Sequence, residues 1–254
     1  MYAQRIRPLS PVPGARWLEL SRPDGTYPGW VVIVGPNGAG KSALLEGVAA
    51  ADPAAVELTG PAGPLAFYRD DRRVPPGDRV TALADDLLRR LSGPVPADVR
   101  GTVLIDEVEA HLHLTGQQEI GFRLTTLFPG VQFLVATHSP YACQAADVAV
   151  RLDPVRPAYV ADDDLLHRAV FGSGDDAALS DLFGLPSPYS PAAVRLREEL
   201  VGLEMAVLDG AATAAQVERF RDLQALLTSS PEARTEEVRA RLRRRAAAAR
   251  ERRA

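Results

Sequence analysis

Three short runs of apolar residues stand out from an otherwise mixed chain. Trp30-Val31-Val32-Ile33-Val34, Thr102-Val103-Leu104-Ile105 and Val131-Gln132-Phe133-Leu134-Val135-Ala136 are strand length and lack the strict polar alternation of a half-exposed strand. Such runs predict parallel strands buried on both faces. Helical periodicity appears between them. Ala43-Leu44-Leu45-Glu46-Gly47-Val48-Ala49 follows the first run, and Ile120, Leu124, Leu127 and Phe128 mark one face of a helix over 116–128. Strand, helix and strand in succession imply a right-handed crossover, so the second and third runs end on one rim of the sheet. The expected fold class is therefore α/β, with a largely parallel central sheet flanked by helices.

The flanks read differently. Residues 1–29 are expected to be edge strands packed on that core. Segment 51–78 is rich in Pro and Gly and reads as loop, with Leu65-Ala66-Phe67-Tyr68 a short strand and residues 80–91 helical. The Pro-rich stretch Leu185-Pro186-Ser187-Pro188-Tyr189-Ser190-Pro191 marks a boundary. The domain reading is 1–184 for the core, with only a reduced helical lobe around 51–100, and 191–254 for a C-terminal helical region. In that region Val194, Leu196, Leu200, Val201 and Leu208 form one stripe, and Val217, Phe220, Leu223 and Leu227 another. Gly210 lies between them, as in a helical hairpin. Its apolar face has two candidate neighbours, the core of the same chain or a second chain.

Composition sharpens this picture in two places. The 254 residues are 46% apolar and 24% charged, which is ordinary globular usage, and no run approaches the roughly 20 apolar residues of a membrane span. The N-terminus lacks the apolar core of a secretory signal and Cys143 is the single cysteine, so a reducing cytoplasmic setting is expected. The net charge of −4 hides an asymmetry. Segment 232–254 holds nine Arg against Glu232, Glu236, Glu237 and Glu251, leaving the remainder strongly acidic. That Arg-rich tail reads either as a solvated helix or as a contact for the phosphate backbone of DNA or RNA. Of the 29 basic residues, Lys41 alone is lysine, so that position demands lysine where Arg serves everywhere else.

Lys41 stands in Gly35-Pro36-Asn37-Gly38-Ala39-Gly40-Lys41-Ser42, between a buried strand and a helix. This is the pattern G-x-x-x-x-G-K-[ST] in its required setting. Glycines let successive N–H groups turn toward one anion, and the helix start adds its partial positive charge. Lys41 reaches the β- and γ-phosphates, and Ser42 offers an oxygen to Mg²⁺. The second run ends in Asp106-Glu107, at the strand edge where ligands of parallel sheets bind. Taken alone, such a pair is more often a helix N-cap region than a catalytic pair. Beside the glycine loop, Asp106 is the Mg²⁺ residue and Glu107 the group that polarises the water attacking the γ-phosphate. The third run ends in Thr137-His138-Ser139-Pro140, which puts His138 near the γ-phosphate; the plainer alternative is a turn histidine bonded to backbone. His111 and His113 alternate as a metal pair would, with only Glu109 nearby as a third ligand, so loop packing is the preferred reading. Asp162-Asp163-Asp164 reads as an acidic helix start.

The order of these three motifs resembles the ABC-type ATPase heads of the SMC and RecF kind. The likeness is greatest to the compact bacterial branch whose second motif runs Asp-Glu-x-Glu-x-x-Leu-His-Pro, found in overcoming-lysogenisation-defect and Septu-type antiphage ATPases. Here the motif is Asp106-Glu107-Val108-Glu109-Ala110-His111-Leu112-His113-Leu114, with Leu114 in place of Pro. The resemblance covers about residues 28–150. It implies a P-loop NTPase fold with ATP on Gly35, Pro36, Asn37, Gly38, Ala39, Gly40, Lys41 and Ser42. It further implies Mg²⁺ at Ser42 and Asp106, Glu107 as catalytic base, His138 as switch histidine, and heads that close in pairs around two nucleotides. A partner nuclease and a setting in DNA repair or antiphage defence are part of the same expectation.

The chain departs from that pattern where a Ser-Gly-Gly signature should complete the partner's site. It offers Val74-Pro75-Pro76-Gly77-Asp78-Arg79, in which Pro75 lacks the hydroxyl and the prolines remove backbone donors. No Q-loop is evident, since Gln117 and Gln118 follow the acidic motif. Two functions remain open on the sequence: an ATPase, or a nucleotide-binding regulator or scaffold that hardly turns over. A small-molecule kinase is disfavoured because Glu107 and His138 have no natural part in it.

Overall fold

The computed structural model describes residues 1–8, 16–22, 26–60, 65–69, 79–90, 98–110 and 112–227. The expectations placed on 74–78, on His111 and on the tail beyond 227 lie outside them. The chain divides into two compact units, Met1–Pro186 and Ser187–Ala254.

In the first unit the three apolar runs are strands of one six-stranded sheet. β3 (Trp30–Val34) pairs in parallel with β7 (Val131–Ala136) on one side and β8 (Val148–Arg151) on the other. β6 (Gly101–Ile105) lies beyond β7, and β5 (Leu65–Tyr68) beyond β6, all parallel; β9 (Tyr159–Val160) closes the far edge antiparallel to β8. Every residue of β3, β6 and β7 is buried, as runs covered on both faces require. Alternation within each run sorts the side chains into two cores. Trp30, Val32, Val103, Ile105, Phe133 and Val135 pack against Ile120, Leu124 and Phe128 on the side of α3 (Leu114–Leu127). Val31, Ile33, Leu104 and Leu134 meet Leu44, Leu45 and Val48 of α1 (Lys41–Ala49) on the other. Leu127, the last residue of α3, is exposed, so the predicted stripe ends one residue short on the helix and resumes at Phe128.

The segment expected to be loop contains a strand, β4 (Val56–Thr59), which pairs antiparallel with β1 (Tyr2–Ile6). With β2 (Leu18–Glu19) these form a three-stranded sheet in the order β2-β1-β4. Pro and Gly flank β4 and masked its short pattern in the sequence. One buried amide ties this sheet to the core. Gln132 on β7 accepts from the Ala3 N–H at 2.7 Å and donates to the Ala3 carbonyl at 3.0 Å. Gln132→Leu keeps the volume and strands both backbone groups, each at a cost of about 1–3 kcal/mol. We expect the variant to lose about 2–4 kcal/mol in urea unfolding, and an unchanged midpoint would show that the bridge contributes nothing net.

α2 (Arg79–Arg90), α4 (Asp163–Phe171) and α5 (Gly174–Leu179) complete the unit. Asp162 caps α4 by accepting from the Leu165 N–H at 2.9 Å, so the acidic run starts a helix. The second unit holds α6 (Pro191–Leu208) and α7 (Ala214–Leu227), joined through Gly210 at φ +70°. Arg219 grips Glu199 with two bonds, 2.8 and 3.1 Å, between the two helices. Leu223 is buried, whereas Val201, Met205, Leu208 and Leu226 remain exposed.

Candidate functional site

Parallel strands in this register bring the ends of β3, β7 and β6 to one carboxyl edge: Ile33 pairs with Ala136, and Ile105 with Val135. The strand leading to Asp106 is thus two spacings from the strand leading to the glycine loop, roughly 10 Å, with the end of β7 between them. That interval suits a triphosphate and its cation.

The loop itself is built by close backbone approach. A Cβ at Gly35 would meet the Leu152 carbonyl oxygen at 2.4 Å, so only glycine lets the chain pass the end of β8. Gly40 sits at the start of α1 with φ +92°, where a side chain would be strained. Ser42 lies exposed in the first turn of that helix, and the Pro36, Asn37 and Gly38 positions are exposed as well. Lys41, in contrast, is buried, and its Nζ donates to the carbonyls of Gly35 at 2.9 Å and Pro36 at 3.2 Å. Burial pushes its ammonium below the usual lysine range, while the carboxylates of Asp106, Glu109 and Glu107 push it back up. Four charged groups from two segments therefore act on one another at this edge.

Asp106 donates its backbone N–H to the Tyr68 carbonyl at 2.8 Å. Its Oδ1 is buried and has no hydrogen-bond partner among the described residues. An orphaned carboxylate oxygen of this kind fits a cation or a water held by one. No cluster of three His, Cys, Asp or Glu that could hold a metal occurs among the described residues. One carboxylate, one hydroxyl and the phosphates themselves are the donor set that Mg²⁺ favours.

Glu107 has φ +51°, a left-handed conformation costing on the order of 1–3 kcal/mol for a side chain of this kind. It stands exposed beyond the strand, at the start of a turn in which the Ala110 N–H donates to its carbonyl at 2.9 Å. His138 is also exposed, directly after β7. What holds it is Glu109, which the sequence offers as a third ligand beside His111 and His113 and as part of the acidic motif. The Glu109 carboxylate accepts from the His138 backbone N–H at 2.5 Å and from the Thr137 hydroxyl at 2.6 Å. The signal was present in the sequence as the second Glu of the acidic motif.

Residues at the other edge fall away from this site. The Tyr2 hydroxyl donates to the Gly130 carbonyl at 3.0 Å, where β7 begins, and its ring stacks on Tyr27 at 4.3 Å. Arg5 on the same strand is paired with Glu19 and Glu57. A cavity of about 630 Å³ lies at this amino-terminal edge, lined by Tyr2, Arg22, Phe122 and Asp147 among others. Two of its charged groups are matched to each other. Asp147 pairs with Arg22 at 2.5 Å and accepts from the N–H groups of Gly29 at 2.7 Å and Trp30 at 3.0 Å.

Parts of the chain are similar to known proteins. Residues 77–143 match the family described as "AAA domain, putative AbiEii toxin, Type IV TA system". A segment of 73 residues is 44% identical to the Retron Ec83 probable ATPase of Escherichia coli, covering 27% of this chain and 14% of that protein. Over 98 residues the chain is 31% identical to the Septu protein PtuA of Bacillus thuringiensis, covering 37% and 25% respectively. These alignments span a quarter or less of either relative's length. Among solved structures, cbiO1 of Clostridium perfringens, part of the ABC transporter complex cbiONQ, superposes with a TM-score of 0.41. It shares 14% identity over 63% of this chain and 87% of that one. Over residues 77–143, and along the stretches shared with these relatives, the chain is similar to ATPases of the AAA-domain kind.

Proposed function

We propose that the chain binds ATP on the loop 35–42 and hydrolyses it to ADP and phosphate, using the nucleotide to switch its association with a second copy or a partner protein. The observation that carries this reading is that the strand leading to the glycine loop and the strand leading to Asp106 end on one edge of the sheet, two spacings apart, with one buried Asp106 oxygen unclaimed. Lys41 exchanges its bonds to Gly35 and Pro36 for β- and γ-phosphate oxygens, and the loop N–H groups cradle the rest. Ser42 and Asp106 hold Mg²⁺, which when bound neutralises charge on the phosphates. Glu107 orients and polarises the attacking water, and His138 faces the γ-phosphate. The names of the relatives, a retron ATPase and a Septu protein, support a place in antiphage defence, and a partner nuclease belongs to the reading through the sequence resemblance alone. The SMC-like resemblance supports pairing of two heads, and the Arg-rich tail is the segment suited to DNA or RNA. No helix among the described residues is long and apolar enough to cross a membrane.

Phosphate release from ATP by the full chain is the test. We expect release that requires Mg²⁺ and stops on chelation with EDTA. ATP binding without any release would overturn hydrolysis in favour of a nucleotide-dependent regulator, the reading that Pro75 and Pro76 at the signature position favour.

A further inference from the structure

The loop after β6 and the loop after β7 are joined at two places. Glu109 makes the first, with one carboxylate oxygen on the His138 N–H at 2.5 Å and the other on the Thr137 hydroxyl at 2.6 Å. The second runs through α3: the Ser139 hydroxyl donates to Gln117 Oε1 at 2.7 Å, and Gln117 Nε2 donates to the Leu112 carbonyl at 3.0 Å. Thr137 closes the pattern by accepting from the Ser139 N–H at 2.9 Å. Both oxygens of Glu109 are therefore spent on the two residues at the tip of the third motif. A merely structural glutamate would serve there as a turn cap. The imidazole of His138 is exposed, and the direction it takes is set by backbone that Glu109 holds.

We infer that Glu109 is a positioning residue, whose carboxylate fixes the backbone of Thr137 and His138 so that the His138 ring is presented to the nucleotide in register with Asp106 and Glu107. This rests on the hydrolytic reading of the site. Charge-assisted bonds to a backbone N–H are among the stronger ones available, and a displacement of about 1 Å at a reacting centre costs about 100-fold in rate. Because the acidic turn carries Asp106 and Glu107 at one end and Glu109 at the other, any shift of the turn on nucleotide binding is passed to His138.

The test is a double-mutant cycle on the full chain, combined with hydrogen exchange. Glu109→Ala should lower kcat about 10- to 100-fold with KM for ATP within about threefold. Glu109→Gln, whose amide oxygen still accepts from the His138 N–H, should recover to within about fivefold of the parent. If Glu109 acts through His138, the Glu109→Ala/His138→Ala double variant is no slower than His138→Ala alone. Additive losses would overturn the inference. Exchange at the His138 amide is read without turnover: it should be slow in the parent and at least about tenfold faster in Glu109→Ala. Equal exchange in both proteins would overturn it too. An inactive parent whose His138 amide still depends on Glu109 would instead remove hydrolysis and leave the clamp standing.

Discussion

Lys41→Ala is expected to abolish ATP binding in the micromolar to low millimolar range by isothermal titration calorimetry, with affinity lower by about 100- to 1,000-fold. The side chain is buried and bonded to the Gly35 and Pro36 carbonyls, so its ammonium is already held at the mouth of the loop. Two or more charge-assisted contacts to phosphate at about 1.5–3 kcal/mol each account for that loss. The three carboxylates nearby make the effect larger. Without the ammonium, Asp106, Glu109 and Glu107 confront a polyanion with no compensating charge on the protein. Lys41→Arg should fare little better, because the planar guanidinium cannot fold back across a loop that admits only a slim, compact cation. Retained affinity in Lys41→Ala would refute the phosphate site itself. The chain's own composition makes the same argument, since arginine supplies 28 of its 29 cations and this position alone is lysine.

Much of this site could be read from residue order because each motif is tied to a long-range constraint that leaves a local mark. A strand buried on both faces must be apolar throughout, so β3, β6 and β7 announced themselves. A glycine loop between strand and helix is recognisable by spacing. What the order of residues concealed was pairing. Nothing in Val148–Arg151 says that it flanks β3, and four residues between turns carry too little pattern to separate strand from loop. Val56–Thr59 was hidden in the same way by the Pro and Gly around it. Glu109 was visible as a residue and unreadable as a function. Its partners Thr137 and His138 lie 28 and 29 positions away, and only the crossover through α3 brings them within 2.6 Å.

Glu107→Gln should separate binding from chemistry. The substitution keeps shape and chain length, so the strained backbone at φ +51° and the turn that follows it are unchanged, and the variant should fold as the parent does. ATP affinity should stay within about threefold, because removing one carboxylate from a site that binds a polyanion costs the ground state nothing. Turnover should fall by about 100- to 10,000-fold, the range for loss of a general base, since the amide cannot take the proton from attacking water. A protein that holds ATP without cleaving it also reports assembly. If two heads close around nucleotide, Glu107→Gln with ATP should elute as a dimer in size-exclusion chromatography with light scattering, and as a monomer with ADP. Unchanged turnover would dismiss Glu107 as base, whereas lost turnover without a dimer would retain the chemistry and dismiss pairing. The strain at Glu107 is why the substitution is informative: a side chain pays to sit in that conformation only where the surrounding fold holds it there, and here it stands beyond the strand that ends in Asp106.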